Sequence, residues 1–274
     1  MLVSAKLAPT FAYAELERFW RDADDIGFHA VWNYDHFYGL GDLAQETLEG
    51  WTSLAAMATV VKRARVGIMV TGVTYRNPAL LANMAVTVDH ISGGRLEFGL
   101  GAAWHEPEHK AYGFDFPSGA TRVEMLDEAL QVCKLLWTQE EATFAGTHFR
   151  LEGAVCNPKP VQRPHPPIVV GGVKPKILRV IARHATEWNF PAVMGVEFEK
   201  ASAALDEACA EVGRDPSEIR RSVQFFIHPA QEGQPEGMIE QIPVFRDAGC
   251  EHIVFSFYQP PDRGLMEKMA SAAG

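Results

Sequence analysis

The stretch that most constrains this chain spans residues 89–113, DHISGGRLEFGLGAAWHEPEHKAYG. It reads as a helix end, a tight turn, one strand, and a loop almost free of side chains that opens into another helix. SGGR can end a helix because glycine adopts left-handed backbone without steric penalty. RLEFGLG is then a short strand, and Gly101-Ala102-Ala103 beyond it lets a flat ligand approach the backbone closely. Loops after parallel strands carry the chemistry of α/β folds, so one segment points to both an architecture and its working end.

The same rhythm runs along the chain. Apolar strand-like stretches fall at residues 2–7, 29–33, 65–70, 95–100, 167–170, 187–190, 222–227 and 252–257. Helical spacing follows each, over 13–26, 51–62, 78–91, 122–137, from about 175, then 198–212, 237–248 and 265–272. In the helix over 122–137, Val123, Leu126, Leu130, Cys133 and Leu136 share one face. Residues 142–161 break the pattern with glycine, threonine and prolines, and read as a small hairpin and irregular insertion after the fourth helix. About eight strands, each followed by a helix, predict an α/β fold closed as a (β/α)8 TIM barrel, one domain over residues 1–274. An open dinucleotide fold should carry GxGxxG after its first strand; here GLGAAW follows the fourth and lacks the third glycine.

Net charge is −10, which argues against a nucleic-acid partner. Cys133, Cys156, Cys209 and Cys250 form no CxxC and read as reduced core residues. MLVSAKLAPTF lacks a signal-peptide core, and no uncharged apolar run approaches the roughly 18 residues a membrane span needs. The expectation is a soluble cytoplasmic protein with no membrane partner.

Barrel logic ranks the candidate residues by their place after each strand. His36, in Asp35-His36-Phe37, could exchange a proton near neutral pH; the plain alternative is an aspartate that merely orients a loop. Met69-Val70-Thr71-Gly72 closes the third strand and permits a bulge or an ordinary turn. Trp104 after the glycine–alanine loop could wall an apolar substrate. His105-Glu106-Pro107-Glu108-His109 matches HExxH, but Pro107 and the lack of a third ligand favour a polar helix start, and no metal is expected. Gly171-Gly172 before a helix, followed by Lys174, suits a phosphate. Lys6, Arg76, Lys159, Arg163 and Arg179 are further possible anion partners.

Taken together, DHF (35–37), TGVTYRNPALLA (71–82), the 89–113 segment, FRLEGAVCNPKPVQ (149–162) and PPIVVGG (166–172) resemble the luciferase-like monooxygenase superfamily. The likeness is densest over 35–172, and within the superfamily the chain is most similar to the branch using the deazaflavin coenzyme F420. The resemblance implies a cofactor at the C-terminal face of the barrel, its phosphate held by backbone N–H groups of Gly171 and Gly172. It implies a non-proline cis peptide at Met69–Val70, just before Thr71, behind the deazaflavin ring. Gly101, Ala102 and Ala103 would lie along the ring edge, and Trp188 and Asn189 near the phosphate end. Homodimers are common among such proteins.

His36 matches the catalytic histidine of the branch's sugar-phosphate dehydrogenases, whereas Trp104 stands where those enzymes carry a glutamate. That departure argues against sugar-phosphate oxidation and leaves the acid partner to Glu106 or Glu108, with Glu106 taken first. The expectation is an F420-dependent oxidoreductase acting on a small organic molecule, with His36 and Glu106 catalytic and Trp104 and Tyr75 walling the substrate. The alternatives are an FMN-dependent monooxygenase, a non-catalytic flavin- or deazaflavin-binding protein, and a zinc hydrolase built on HEPEH. An F420 or flavin reductase is the partner protein implied.

Overall fold

The computed structural model describes residues 1–192 and 197–272. In chain order the first half comprises β1 (Leu2–Leu7), α1 (Tyr13–Ile26), β2 (Ala30–Asn33), α2 (Gly50–Val60), β3 (Arg65–Ile68), β4 (Thr71–Gly72), α3 (Pro78–Ser92), β5 (Leu96–Gly101), α4 (Glu106–Tyr112) and α5 (Gly119–Thr138). Then come β6 (Ala142–Ala145), β7 (Arg150–Ala154), β8 (Ile168–Gly171), α6 (Pro175–His184), β9 (Glu187–Pro191), α7 (Phe198–Val212), β10 (Arg220–Ile227), α8 (Gln234–Asp247), β11 (His252–Phe257) and α9 (Arg263–Ala272).

Parallel pairing runs β3-β2-β1-β11-β10-β9-β8-β5-β4, and a further β3–β5 pairing closes the ring. With β3 and β4 as one interrupted strand, this is an eight-stranded (β/α)8 barrel. The insertion is the antiparallel hairpin β6–β7 after α5, the fourth barrel helix. The main core lies between barrel and helices, while Ala30, Trp32, Met69, Val169 and Val254 form a separate cluster with Val70 packed against it.

Several boundaries differ from expectation for local reasons. The third strand stops at Ile68, the chain bulges through Met69 and Val70, whose peptide is cis, and pairing resumes at Thr71. The neighbouring strand must be bare there. A Cβ on Gly99 would lie 2.0 Å from the Ile68 carbonyl oxygen, and one on Gly101 would lie 2.6 Å from Val70 Cγ2. α5 begins at Gly119, where the Ser118 hydroxyl accepts from the Thr121 N–H at 3.1 Å. α8 begins earlier than its apolar spacing indicates, with Pro235 in its first turn. Helix α3 ends as expected, with Gly93 in the left-handed region at φ 67°.

The N-terminal end of the barrel is closed by a polar plug. Ser4 Oγ lies 2.7 Å from His252 Nε2, His252 Nδ1 is 2.9 Å from Glu187 Oε1, and Arg220 reaches Glu187 at 3.2 Å. Arg65 pairs with buried Glu97. Gln162 ties the insertion to the same end, donating from Nε2 to Asp89 Oδ1 at 2.7 Å. All four cysteines are buried and free. Among the described residues no helix is long and apolar enough to cross a membrane.

Candidate active site

The C-terminal mouth brings together segments following β2, β4 and β5. His36 Nδ1 lies 2.8 Å from Glu108 Oε2, and the backbone N–H of Phe37 donates to Glu108 Oε1 at 2.6 Å. The Tyr75 hydroxyl also donates to Glu108 Oε2. Burial pushes Glu108 up, but these three partners outweigh it and hold its carboxyl below the usual range. A carboxylate accepting from His36 Nδ1 fixes the ring's orientation and leaves Nε2 to exchange a proton.

The acid beside His36 is therefore Glu108, and the choice of Glu106 is corrected. Two residues of α-helix turn about 200°, so Glu106 and Glu108 point to opposite sides of α4. Glu108 is buried and Glu106 is exposed. This periodicity was readable in HEPEH, although it does not say which glutamate faces inward.

Rings surround His36. Tyr34, Trp104 and His105 have centroids 4.9, 5.7 and 5.9 Å from it. Trp104 is 63% exposed and free to meet a ligand. Tyr75 does not form a wall: it is 8% exposed, stacks on His109 at 4.7 Å, and packs against Phe37. Its place is behind Glu108. HEPEH does not converge as a zinc site, because His109 Nδ1 meets the His105 carbonyl at 2.8 Å while Nε2 meets Thr74 Oγ1 at 2.6 Å. Among the described residues, the atoms that could jointly hold a metal belong to His36, His105 and Glu108, all within 4.8 Å of one another.

Asp35 shapes the mouth from below. Arg76 grips it with two hydrogen bonds, at 2.7 and 2.9 Å, and the Gly72 N–H donates to it at 3.1 Å. Arg76 also binds Glu49, so it is not available to an anion. Lys159 is likewise engaged, at the Leu136 and Gln139 carbonyls, and Arg179 at Glu211.

The expected cofactor residues lie at the same end: Val70, Ala102, Ala103, Gly171 and Gly172 are partly open, whereas Met69, Thr71, Gly101, Trp188 and Asn189 are buried behind them. Met69 and Val70 form the bulge, and Thr71 follows with its hydroxyl turned outward to the Trp51 indole N–H at 3.1 Å. Thr71 itself is fully buried. Ala102 and Ala103 are partly open, and Ala103 is held at φ 56°. Gly171 faces space: a Cβ there would meet nothing nearer than the Asn189 carbonyl oxygen at 3.5 Å. Gly172, at φ 128°, is fixed from behind by the Trp188 indole, which donates to its carbonyl at 2.8 Å. Asn189 donates to Ser222 Oγ at 3.0 Å. Exposed Lys174 and Lys176 flank the start of α6. An open glycine cradle, a helix N-terminus and two lysines suit a phosphate-bearing cofactor such as F420 or FMN.

A parallel barrel with an oriented histidine and an anion cradle at its C-terminal mouth has the layout of a TIM-barrel enzyme. The chain belongs to the luciferase-like monooxygenase family, whose model matches residues 2–250. An F420-dependent glucose-6-phosphate dehydrogenase from Kineococcus radiotolerans is 28% identical over 231 residues, 82% of this chain and 68% of that protein. An FMNH2-dependent dimethylsulfone monooxygenase from Pseudomonas putida is 29% identical over 151 residues, 55% of this chain and 41% of that one. The family thus includes both F420-dependent dehydrogenases and FMNH2-dependent monooxygenases. The chain spans about 60% of the length of the first curated relatives it matches. An F420-dependent secondary alcohol dehydrogenase, solved with an F420-acetone adduct, shares the fold at TM-score 0.83 and 19% identity over 100% of both chains.

Proposed function

We propose that this protein is an F420-dependent oxidoreductase that moves a hydride between the deazaflavin and a small organic alcohol or carbonyl compound. The observation that carries the reading is the His36–Glu108 pair at the barrel mouth. Removing a hydride from an alcohol carbon leaves a hydroxyl proton that needs an acceptor, and the reverse reaction needs that proton returned. His36 Nε2 serves this role while Glu108 holds the ring and balances its charge. Bound F420 supplies the hydride chemistry. Gly171 and Gly172 hold the phosphate, with Lys174 nearby; Met69 and Val70 support the ring; Ala102 and Ala103 border it. Trp104, with Tyr34, presents an aromatic face to an apolar substrate.

The protein works as a cytoplasmic homodimer, with an F420 reductase or dehydrogenase closing the cofactor cycle. Calorimetric titration of purified apoprotein with F420, and separately with FMN, tests the reading. Micromolar or tighter F420 binding with weak FMN binding supports it; no binding of F420 refutes it. The second reading, an FMNH2-dependent monooxygenase, draws on the dimethylsulfone monooxygenase relative. Deazaflavin reacts poorly with oxygen, so oxygen consumption with FMNH2 would favour that reading.

A further inference from the structure

Lys6 is unusual for a barrel interior. It lies next to the C-terminal end of β1, level with Trp32 on one side and Ser256 on the other. It is 7% exposed, and its Nζ donates to the Met69 carbonyl at 2.8 Å. Among the described residues no carboxylate stands within ion-pair reach of it. Its surroundings include the apolar interior cluster of Trp32, Met69 and Val254. A lone ammonium in such a place is costly, and a methionine or leucine would fill the space without that cost. The fold places an ionisable amine directly behind the Met69–Val70 bulge.

We propose that Lys6 is an electrostatic positioning residue for the cofactor: held on the Met69 carbonyl, its ammonium stabilises the negative charge that the ring gains on reduction. This rests on the functional reading above, in which the ring lies against the bulge. A hydride carries two electrons and one proton, so accepting it makes the ring one unit more negative, while the substrate alcohol loses that hydride and gives its hydroxyl proton to His36. A positive charge behind the ring therefore favours the reduced form over the oxidised one. Burial lowers the lysine to about 7, so its charge responds to a negative neighbour, which draws a proton back onto it. The role differs from that of His36 because Lys6 acts through the field behind the ring and exchanges no proton with substrate.

The test compares wild type with Lys6→Met and Lys6→Gln. Circular dichroism first confirms that each variant is folded. Fluorescence titrations then give Kd for oxidised and for chemically reduced F420, and spectroelectrochemistry gives the potential of the bound cofactor. In Lys6→Met the preference for reduced over oxidised F420 should fall about tenfold, a potential about 30 mV lower. Lys6→Gln, which keeps a donor for the Met69 carbonyl but no charge, should fall by a similar factor. An unchanged ratio in Lys6→Met overturns the proposal, as does a wild-type ratio in Lys6→Gln, which would reduce Lys6 to a hydrogen-bonding strut. If wild type binds neither form, the functional reading fails and this inference falls with it; if wild type binds both and only the ratio is unmoved, the functional reading stands alone.

Discussion

His36 and Glu108 are separated by 72 residues of sequence and by 2.8 Å between Nδ1 and Oε2. The contact joins the loop after β2 to the helix after β5, and the Phe37 N–H and Tyr75 hydroxyl lock the carboxylate from two further sides. The histidine therefore enters the reaction already oriented. Glu108→Gln should fold normally and bind F420 within a few-fold of wild type, but kcat should fall by about 100-fold or more. The amide can present its N–H to Nδ1 and invert the tautomer that leaves Nε2 as the base. Glu106→Gln, on the exposed side of α4, should leave kcat within about twofold. Steady-state kinetics on both variants decide the assignment; a large loss in Glu106→Gln with none in Glu108→Gln would reverse it.

The glycines of the mouth divide into two kinds. Gly99 and Gly101 give way to protein, since their Cβ positions are taken by the Ile68 carbonyl and by Val70. Gly171 is uncrowded: a Cβ there would make only an ordinary contact with the Asn189 carbonyl oxygen at 3.5 Å. Gly99→Ala should therefore destabilise the fold by about 3 kcal/mol or more, and Gly101→Ala by about 1–3 kcal/mol. Gly171→Ala should leave thermal stability near wild type while weakening F420 binding at least about tenfold. Denaturant melts paired with calorimetry separate the two classes; a strongly destabilised Gly171→Ala would mean that the cradle is structural.

The barrel was legible because its signals are local. Strand and helix periods, the glycine stop after α3 and the proline-led starts of α3 and α6 are each written within a few residues. The mouth was legible only in part. HEPEH displays two glutamates and two histidines, but which of them face inward depends on how α4 meets the Phe37 loop, a contact with no sequence periodicity. Tyr75 looks like any loop aromatic until Glu108 is seen beneath its hydroxyl. Lys6 sits in an apolar strand where a lone lysine resembles a solvated edge residue, and only barrel closure turns it inward.

Ala103 shows a different kind of constraint. It is the one non-glycine with positive φ among the described residues, at 56°, in the loop between β5 and the aromatic cluster. Left-handed backbone costs a residue with a Cβ roughly 1–2 kcal/mol relative to glycine, partly offset by glycine's greater freedom when unfolded. Ala103→Gly should thus stabilise the protein by about 0.5–1 kcal/mol, and Ala103→Val should destabilise it by more than that. Thermal denaturation measures both. A destabilised Ala103→Gly would show that the methyl group makes packing contacts worth more than the backbone relief.

The polar plug at the opposite end of the barrel predicts an acid limit to stability. Burial alone would push Glu187 up, but the neighbouring His252 and Arg220 overcome it and hold the carboxyl down to about 2, against an ordinary value of 4.5. A depressed folded-state value means that the unfolded chain takes up a proton first as the solution is acidified. The stabilisation is therefore complete above about pH 4.5 and is lost as the pH falls toward about 2. Its size at neutral pH is about 3 kcal/mol. Glu187→Gln should lose about that much at pH 7, and the gap from wild type should narrow below pH 4.5 and close near pH 2. Urea melts of both proteins at several pH values give the two curves. Parallel curves across this range would show that Glu187 acts through packing and hydrogen bonds, with no contribution from its charge.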